Sequence, residues 1–322
     1  MLEKIIRILI EFVVGIFGIF AIYLVYKEIK DVGFLAIRKS LFQIPLLYLL
    51  TACLFIFCDY IAFSGYDLLA LKYICKKLPY SKVIKVATIA FSVTNTTGHA
   101  YIAGGSIRYL SYSKLGLKEI DILKMIVLES LTFLMGMGVI LDICLILSHF
   151  LKLDRIQKYR HLLDMGAIAI TLAFLAYLYF IVKPKRSFKW HNIDIKAPTF
   201  SLTFQQILVG SFDIIFSSLA FYTLFRAYLD ASYFQVAIIF LIAQIIGISS
   251  QVPGGLGVFE ASFLYLYPHT HNEKSAVLSA LISFRLLYYF TPLIITGLSL
   301  AIMQILAKIK PYSIKQPSPD QE

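Results

Sequence analysis

Seven charged side chains stand inside or beside long apolar stretches of the chain, where a charge is costly. They are Asp59, Arg108, Glu129, Asp142, Asp213, Glu260 and Arg285. A charged residue at the centre of a membrane helix costs about 2.5–3.5 kcal/mol on insertion scales, so each one calls for a partner or a task. We expect Asp59, Glu129 and Asp213 to be buried charge partners. For Asp142 and Asp213, a pair that only locks helices together and a functional role both stay open.

Two of these charges follow glycine pairs. Arg108 comes just after Gly104–Gly105, and Glu260 comes just after Gly254–Gly255. If the two segments form facing hairpins, these opposite charges at matching places are expected to pair across a central cavity. Arg108, Glu260 and Arg285 adjoin predicted helix breaks, and for them we favour a functional role over a purely structural one.

A third group of polar residues lies near the end of the chain. Arg285 precedes Tyr288 and Tyr289 by about one helical turn, and Pro292 bends or breaks the helix just beyond them. This arrangement offers a cation, two hydroxyl groups and freed backbone carbonyls at one depth. Such a set suits a lipid phosphate and its headgroup. We therefore predict that Arg108, Glu260, Arg285, Tyr288 and Tyr289 bind substrate.

The composition places these residues in a membrane protein. Of the 322 residues, 59% are hydrophobic and only 15% are charged, and the mean hydropathy is +0.79. Soluble domains carry about 25% charged residues. These values exclude a disordered chain, a disulfide scaffold and a soluble nucleic-acid binder. The net charge of +11 is attributed mainly to basic loops beside anionic lipid, so no nucleic-acid partner is expected.

Hydropathy predicts an all-α polytopic bundle with about eight membrane segments. A membrane core of about 30 Å needs about 20 apolar residues in a helix. Regular runs of this kind cover residues 7–26, 41–66, 122–148, 161–182, 203–225 and 275–307.

Two further apolar segments, over residues 83–107 and 233–268, are interrupted by polar and glycine-rich stretches. Freed backbone groups find no partner in lipid, so both breaks must be buried in protein or line a wet cavity. We read these segments as re-entrant hairpins. The residues expected to form breaks or hinges are Gly104, Gly105, Pro253, Gly254, Gly255, Gly257 and Pro292.

The segments divide into a transmembrane domain over residues 1–307 and a disordered polar tail over residues 308–322. Within the domain, residues 1–155 and 156–307 are candidate half-repeats, each with the order helix, helix, hairpin and helix. Placing the densest basic regions inside makes the second half inverted relative to the first, a plan that recurs in transporters. Both termini are then cytoplasmic.

No motif for a cofactor, a metal or covalent catalysis is evident in the sequence. It contains no phosphate-binding loop, nucleophile elbow or zinc-protease motif, and its four cysteines form no CxxC pair. We expect no cofactor, no metal site and no enzymatic activity of its own.

Three passages resemble the lysylphosphatidylglycerol synthase transmembrane family. The first is Gly104 to Tyr109 (GGSIRY), followed by Gly116; the second, and most specific, is Val252 to Glu260 (VPGGLGVFE). The third is Arg285 to Pro292 (RLLYYFTP). Their order and spacing fit across residues 5–307.

The resemblance implies a multi-pass protein of the bacterial inner membrane that moves a lipid between leaflets. We expect a stand-alone member, because the soluble aminoacyl-transferase domain of the two-part family members is not recognised here. The lipid is expected to be an anionic or aminoacylated phospholipid, or a related polar lipid, and a separate enzyme that synthesises lipid is a candidate partner. The headgroup, direction, energy source and oligomeric state are left open.

Two other functions stay as alternatives. The protein could be an integral-membrane enzyme or an accessory subunit acting on a lipid-linked substrate, with a carboxylate pair such as Asp59 and Glu129 as bases or ligands. A small-solute transporter is the third possibility, and it requires a water-filled path closed off from lipid.

Overall fold

The computed structural model describes residues 42, 44–97, 100–148, 160–182, 187–190, 193–250, 252–268, 270 and 273–309. The predicted first helix over residues 7–26 lies outside these residues. The predicted disordered tail over residues 308–322 overlaps them only at Lys308 and Ile309, which end the last helix.

Within the described ranges the chain folds almost entirely as α-helix. The helices are α1 (Leu46–Tyr73), α2 (Tyr80–Thr97), α3 (Ala100–Lys114), α4 (Glu119–Ser148), α5 (Arg160–Val182), α6 (Phe200–Arg226), α7 (Tyr233–Ser249), α8 (Val258–Leu266), α9 (Lys274–Phe284) and α10 (Thr291–Ile309). A 3-10 turn (Pro253–Gly255) joins α7 to α8, and a π-helical segment (Arg285–Phe290) joins α9 to α10.

Five stretches are long and apolar enough to cross a membrane. They cover Leu46–Tyr73, Glu119–Leu147, His161–Tyr179, Phe200–Arg226 and Lys274–Ser299. Each overlaps one of the predicted apolar runs, and the last contains α9, the π-helical segment and the start of α10. The predicted all-helical, multi-pass membrane fold is therefore confirmed.

The two interrupted segments form helical hairpins. Helix α2 packs against α3, and α7 packs against α8. Helix α8 has nine residues, so it extends only about 14 Å at 1.5 Å per residue and is too short to cross a membrane core. In each half of the described chain, a long helix (α1 or α6) precedes the hairpin and another follows it. The inverted orientation of the halves 1–155 and 156–307 stays a prediction.

The first hairpin departs from the sequence prediction in the position of its break. Gly104 and Gly105 lie inside α3, whereas the interruption between α2 and α3 falls after Thr97. A Cβ on Gly104 would overlap the Thr94 hydroxyl of α2. Gly104 therefore allows the two arms of the hairpin to approach closely, whereas Gly105 faces Ile126 of α4. The prediction that this pair breaks a helix is wrong.

In the second hairpin the glycines do break the helix, as predicted. Gly254, Gly255 and Gly257 have φ angles of 58°, 59° and 77°, a region that side chains with a Cβ rarely occupy. A Cβ on Gly254 would also lie 2.7 Å from the carbonyl oxygen of Thr96 at the end of α2. The glycine turn of the second hairpin thus packs directly against the backbone at the tip of the first hairpin, and a side chain at Gly254 would prevent this contact.

Helix α6 lies at the centre of the bundle and packs against both α1 and α4. Its contact with α4 is close because Gly210 faces Gly136, where an added Cβ would overlap backbone atoms. Phe221 of α6 anchors an aromatic core. The rings around it are Phe225, Phe240, Phe259, Phe263 and Phe284, with centroids 5.0–6.2 Å away.

The connection between α5 and α6 contains a small addition to the helical fold. Strands β1 (Ser187–Trp190) and β2 (Ile193–Lys196) pair antiparallel within it.

Candidate functional site

A cavity of about 430 Å³ opens between the two hairpins and the long helices. Its walls come from α1, α2, α3, α4, α6, α7, α8, the 3-10 turn and the π-helical segment. Seven aromatic side chains contribute to the lining: Phe63, Tyr66, Phe91, Phe133, Phe259, Tyr288 and Tyr289. A cavity with apolar walls and a few polar groups is typical of a small-molecule or headgroup site.

Arg108 of α3 joins three helices at one side of this cavity. Its Nε donates to Asp67 Oδ1 of α1 at 2.8 Å and also lies 2.8 Å from Glu129 Oε2 of α4. Tyr112 donates its hydroxyl to the other Asp67 oxygen at 3.0 Å, and the guanidinium lies over the Phe91 ring, 4.8 Å from its centroid. Arg108, Asp67 and Glu129 are all buried.

The predicted pairing of Arg108 with Glu260 is wrong. Glu260 of α8 instead accepts from Arg285 Nε at 2.5 Å. Because Arg108 lies within α3 next to its own hairpin partner, it is satisfied by the flanking long helices rather than by the opposite hairpin. Glu129, predicted as a buried charge partner, is 7% exposed and lies 2.8 Å from Arg108 Nε.

Arg285 holds the glycine turn of the second hairpin in place. Its Nη1 and Nη2 donate to the carbonyl oxygens of Gly254 and Gly255 at 2.6 and 3.1 Å. The second oxygen of Glu260 accepts from the Gly257 amide at 2.9 Å. The turn exposes carbonyls that lipid cannot satisfy, and a guanidinium with donors on all three nitrogens supplies the partners.

The π-helical segment carries Arg285 and the two tyrosines; the tyrosines line the cavity, whereas Arg285 contacts the glycine turn. The helix is widened over Arg285–Phe290 and leads into Pro292, which lacks an amide hydrogen. The carbonyl of Leu286 accepts from both the backbone amide and the hydroxyl of Thr291, the latter at 2.8 Å. Tyr289 stacks over the Arg285 guanidinium, 5.2 Å from centroid to Cζ.

Two buried aspartates face each other between α1 and α6. Tyr288 donates to Asp59 Oδ2 at 2.5 Å, and Tyr66 donates to Asp213 Oδ2 at 2.5 Å. The two carboxyl groups lie within hydrogen-bonding reach of each other. Asp213, Tyr66 and Tyr288 line the cavity. Asp59 and Glu129, suggested as a catalytic carboxylate pair, instead have separate partners.

Five polar atoms that face the cavity have no hydrogen-bond partner among the described residues. They are Thr94 Oγ1, Asn95 Nδ2, Arg108 Nη2, Glu129 Oε1 and Gln244 Oε1. Buried polar atoms are normally satisfied, so a cluster of orphans around one cavity indicates a polar occupant. Asp142 lies outside the cavity lining; its Oδ2 accepts from Thr171 of α5 at 2.7 Å, and its Oδ1 also has no partner among the described residues.

Several of these residues were missed from the sequence. Asp67 lies just beyond the predicted apolar run over residues 41–66, whereas the helix continues to Tyr73. The available signal was helical spacing, since Asp59, Phe63 and Tyr66 recur on one face of α1. Gln244 was a further signal, as a lone amide in the apolar run of α7.

Comparison with known proteins agrees with this architecture. The family model described as the lysylphosphatidylglycerol synthase TM region matches residues 8–296. The Synechocystis sp. protein slr0712 is 31% identical over 255 residues, which cover 77% of each chain. The Escherichia coli inner membrane protein YbhN is 27% identical over 261 residues, which cover 81% of each chain.

A larger relative matches over only part of its length. The Bacillus subtilis phosphatidylglycerol lysyltransferase is 26% identical over 261 residues, which cover 80% of this chain and 29% of that protein. The family match includes every passage that carries the resemblance seen in the sequence. The chain therefore belongs to the lysylphosphatidylglycerol synthase TM family.

Proposed function

We propose that this protein moves a polar lipid between the two leaflets of the bacterial inner membrane. The observation that carries the proposal is the cavity inside the membrane bundle, whose buried charges and five orphaned polar atoms call for a polar occupant. A lipid headgroup fits in a space of this size, while its acyl chains stay in the bilayer. The inner-membrane location draws on the relative YbhN.

The balance of charge favours a headgroup that carries an amine. Among the described residues, two cations, Arg108 and Arg285, face five carboxyl groups: the buried Asp59, Asp67, Glu129 and Asp213, and Glu260, which is 16% exposed. Even with one proton shared between Asp59 and Asp213, the carboxylates outnumber the cations. A purely anionic headgroup would add to this negative excess. An ammonium group would reduce it and would also be attracted by the aromatic faces of the lining. Glu129 Oε1, an acceptor without a donor, is the first contact that we assign to the amine.

The phosphate of the same lipid would meet donors at the hairpin tips. Arg108 Nη2 and Asn95 Nδ2 are donors that lack an acceptor among the described residues, and both line the cavity. Arg285 already donates from Nε, Nη1 and Nη2 to Glu260 and the glycine turn. We therefore assign the phosphate contact to Arg108, and to Arg285 the task of holding the turn beside it. Tyr288 and Tyr289 form the apolar and hydroxyl wall of the site.

The route between leaflets follows from the predicted inverted repeat. The tips of the two hairpins meet near Thr96 and Gly254, so each half contributes one hairpin to the cavity. Rocking of one half against the other would open the cavity first to one leaflet and then to the other.

The experiment is a leaflet-accessibility assay with fluorescent lipids in proteoliposomes. We expect faster flipping of lysyl-phosphatidylglycerol than of phosphatidylglycerol bearing the same label. Arg108→Gln and Glu129→Gln should each slow the flipping at least tenfold, because each removes a charge worth more than about 1.4 kcal/mol to the bound headgroup. Asp142→Asn, outside the cavity, is the matched control and should flip at the wild-type rate. Equal rates for both lipids in all variants would contradict the site assignment.

An accessory role beside an enzyme that synthesises lipid is the second candidate. It is favoured by the lysyltransferase relative, in which a region similar to this chain is part of a longer protein. Flipping by the purified protein alone would contradict a purely accessory role.

A further inference from the structure

The headgroup contacts assigned under the proposed function do not include the paired aspartates, whose arrangement calls for a separate explanation. Asp59 is fully buried and Asp213 is 4% exposed. Each accepts a 2.5 Å hydrogen bond from a tyrosine, and each is within hydrogen-bonding reach of the other. We name these two carboxyl groups the aspartate dyad.

Two ionised carboxylates this close in an apolar setting repel each other strongly, and a single shared proton removes the repulsion. Asp59 Oδ1 has no donor among the described residues. Protonation of the Asp59 carboxyl would allow it to donate a hydrogen bond to its neighbour, leaving Asp213 as the carboxylate. The geometry thus has room for one proton between the two groups.

Among the described residues, no basic group acts directly on either carboxyl group of the dyad. The titratable groups facing the dyad are Cys58, Tyr60 and Tyr66 from α1, Tyr288 and Tyr289 from the π-helical segment, and Glu129 from α4 through Tyr66. None of these groups is basic. Arg285 lies over the ring of Tyr289, which in turn faces both aspartates.

The dyad is connected to the cavity by Asp213, which lines it together with Glu129. We propose that the protein exchanges one proton for one amine-bearing lipid, with the aspartate dyad as the proton carrier. In the empty cavity the dyad holds one proton. When the ammonium group enters beside Glu129 and Asp213, the proton leaves to water, and the positive charge of the amine replaces it. When the lipid departs into the other leaflet, the dyad takes up a proton from that side.

This exchange rests on the proposed function and adds its energy source. Lysyl-phosphatidylglycerol has two amines and one phosphate, hence one net positive charge. Exchange for one proton is then electroneutral, and a pH difference of one unit across the membrane would drive the lipid to a leaflet ratio of about ten.

The first test concerns the shared proton and does not depend on transport. Infrared difference spectra of the purified protein at neutral pH are compared between wild type and Asp59→Asn/Asp213→Asn. We expect a carbonyl band from a protonated carboxyl group in wild type that the double variant lacks. Added lysyl-phosphatidylglycerol should also remove the band from wild type, a comparison that needs no variant and holds if the double variant fails to fold. Absence of the band in both comparisons overturns the shared proton.

The second test separates the exchange from lipid flipping itself. Proteoliposomes with a pH difference of one unit are loaded with fluorescent lysyl-phosphatidylglycerol, and the final distribution between leaflets is measured with and without a protonophore. We expect an unequal distribution that the protonophore abolishes, and Asp142→Asn as control should behave as wild type. Equal distribution with rapid flipping overturns the exchange and leaves the proposed function standing. No flipping under any condition overturns both.

Discussion

The clearest energetic prediction concerns the buried pair of Arg285 and Glu260. Arg285 is 2% exposed and donates three hydrogen bonds, one to Glu260 and two to carbonyls of the glycine turn. Replacing Arg285 by Met removes the donors to two turn carbonyls and the cation that pairs with Glu260, whose side chain is 16% exposed and keeps only the Gly257 amide as a partner among the described residues. Breaking a buried ion pair from one side costs about 3–5 kcal/mol. We expect Arg285→Met to lower the free energy of unfolding by this amount.

A double-mutant cycle separates the interaction energy between Arg285 and Glu260 from the contacts that each makes with the rest of the protein. Glu260→Gln should cost about 3 kcal/mol, because it leaves the guanidinium charge uncompensated while keeping an acceptor for the Gly257 amide. In the double variant both charges are gone, so we expect a loss of about 4–5 kcal/mol and a coupling energy of about 2 kcal/mol. The assay is reversible unfolding by dodecyl sulfate in mixed micelles, followed by far-ultraviolet circular dichroism.

The matched control is a surface pair of the same chain. Arg226 pairs with Asp230, whose side chain is 92% exposed, so Arg226→Met should cost less than about 1 kcal/mol. The reasoning is refuted if the two substitutions of the buried pair are additive within about 0.5 kcal/mol. It is also refuted if Arg285→Met costs no more than Arg226→Met.

Further predictions concern positions without side chains. Gly254→Ala should destabilise the protein by at least about 1–2 kcal/mol, because its φ is 58° and a Cβ would lie 2.7 Å from the Thr96 carbonyl oxygen. Gly297→Ala, in α10, should not lower the free energy of unfolding, because no atom lies within 4 Å of the added carbon. The same unfolding assay checks both variants. Equal losses of stability would contradict the conclusion that the turn requires glycine at position 254. Gly210→Val should force α6 away from Gly136 of α4 and lower the thermal aggregation temperature in detergent, whereas an unchanged temperature would show that the two backbones are not in tight contact.

Much of the fold could be predicted because membrane helices leave a strong signal. Five of the six regular apolar runs correspond to described membrane-crossing helices, and the sixth lies outside the described residues. The re-entrant nature of the two interrupted segments followed from the cost of unsatisfied backbone in lipid. The sequence also placed Pro253 and the glycines after it at a break, because both residue types disfavour helix.

The partners of the buried charges could not be predicted in the same way. Which carboxylate meets Arg108 depends on the rotation of α1 and α4 about their axes, and hydropathy does not report that rotation. The role of Gly104 was misjudged for a related reason. Glycine is compatible both with a break and with a close crossing of two helices, and only the position of Thr94 on the opposite arm decides between them. The substrate roles of Glu260, Tyr288 and Tyr289 stay predictions.

The crossing of α4 and α6 at Gly136 and Gly210 has a mechanical consequence. At that point the backbones of the two helices touch with no side chain between them, while elsewhere Met137 and Leu141 of α4 share a core with Ile214 and Phe221 of α6. One turn away, Gln206 Nε2 donates to Thr132 Oγ1 at 3.0 Å and to the Leu128 carbonyl oxygen at 3.4 Å. In the transport cycle proposed above, the two halves would pivot at this crossing, where backbone meets backbone.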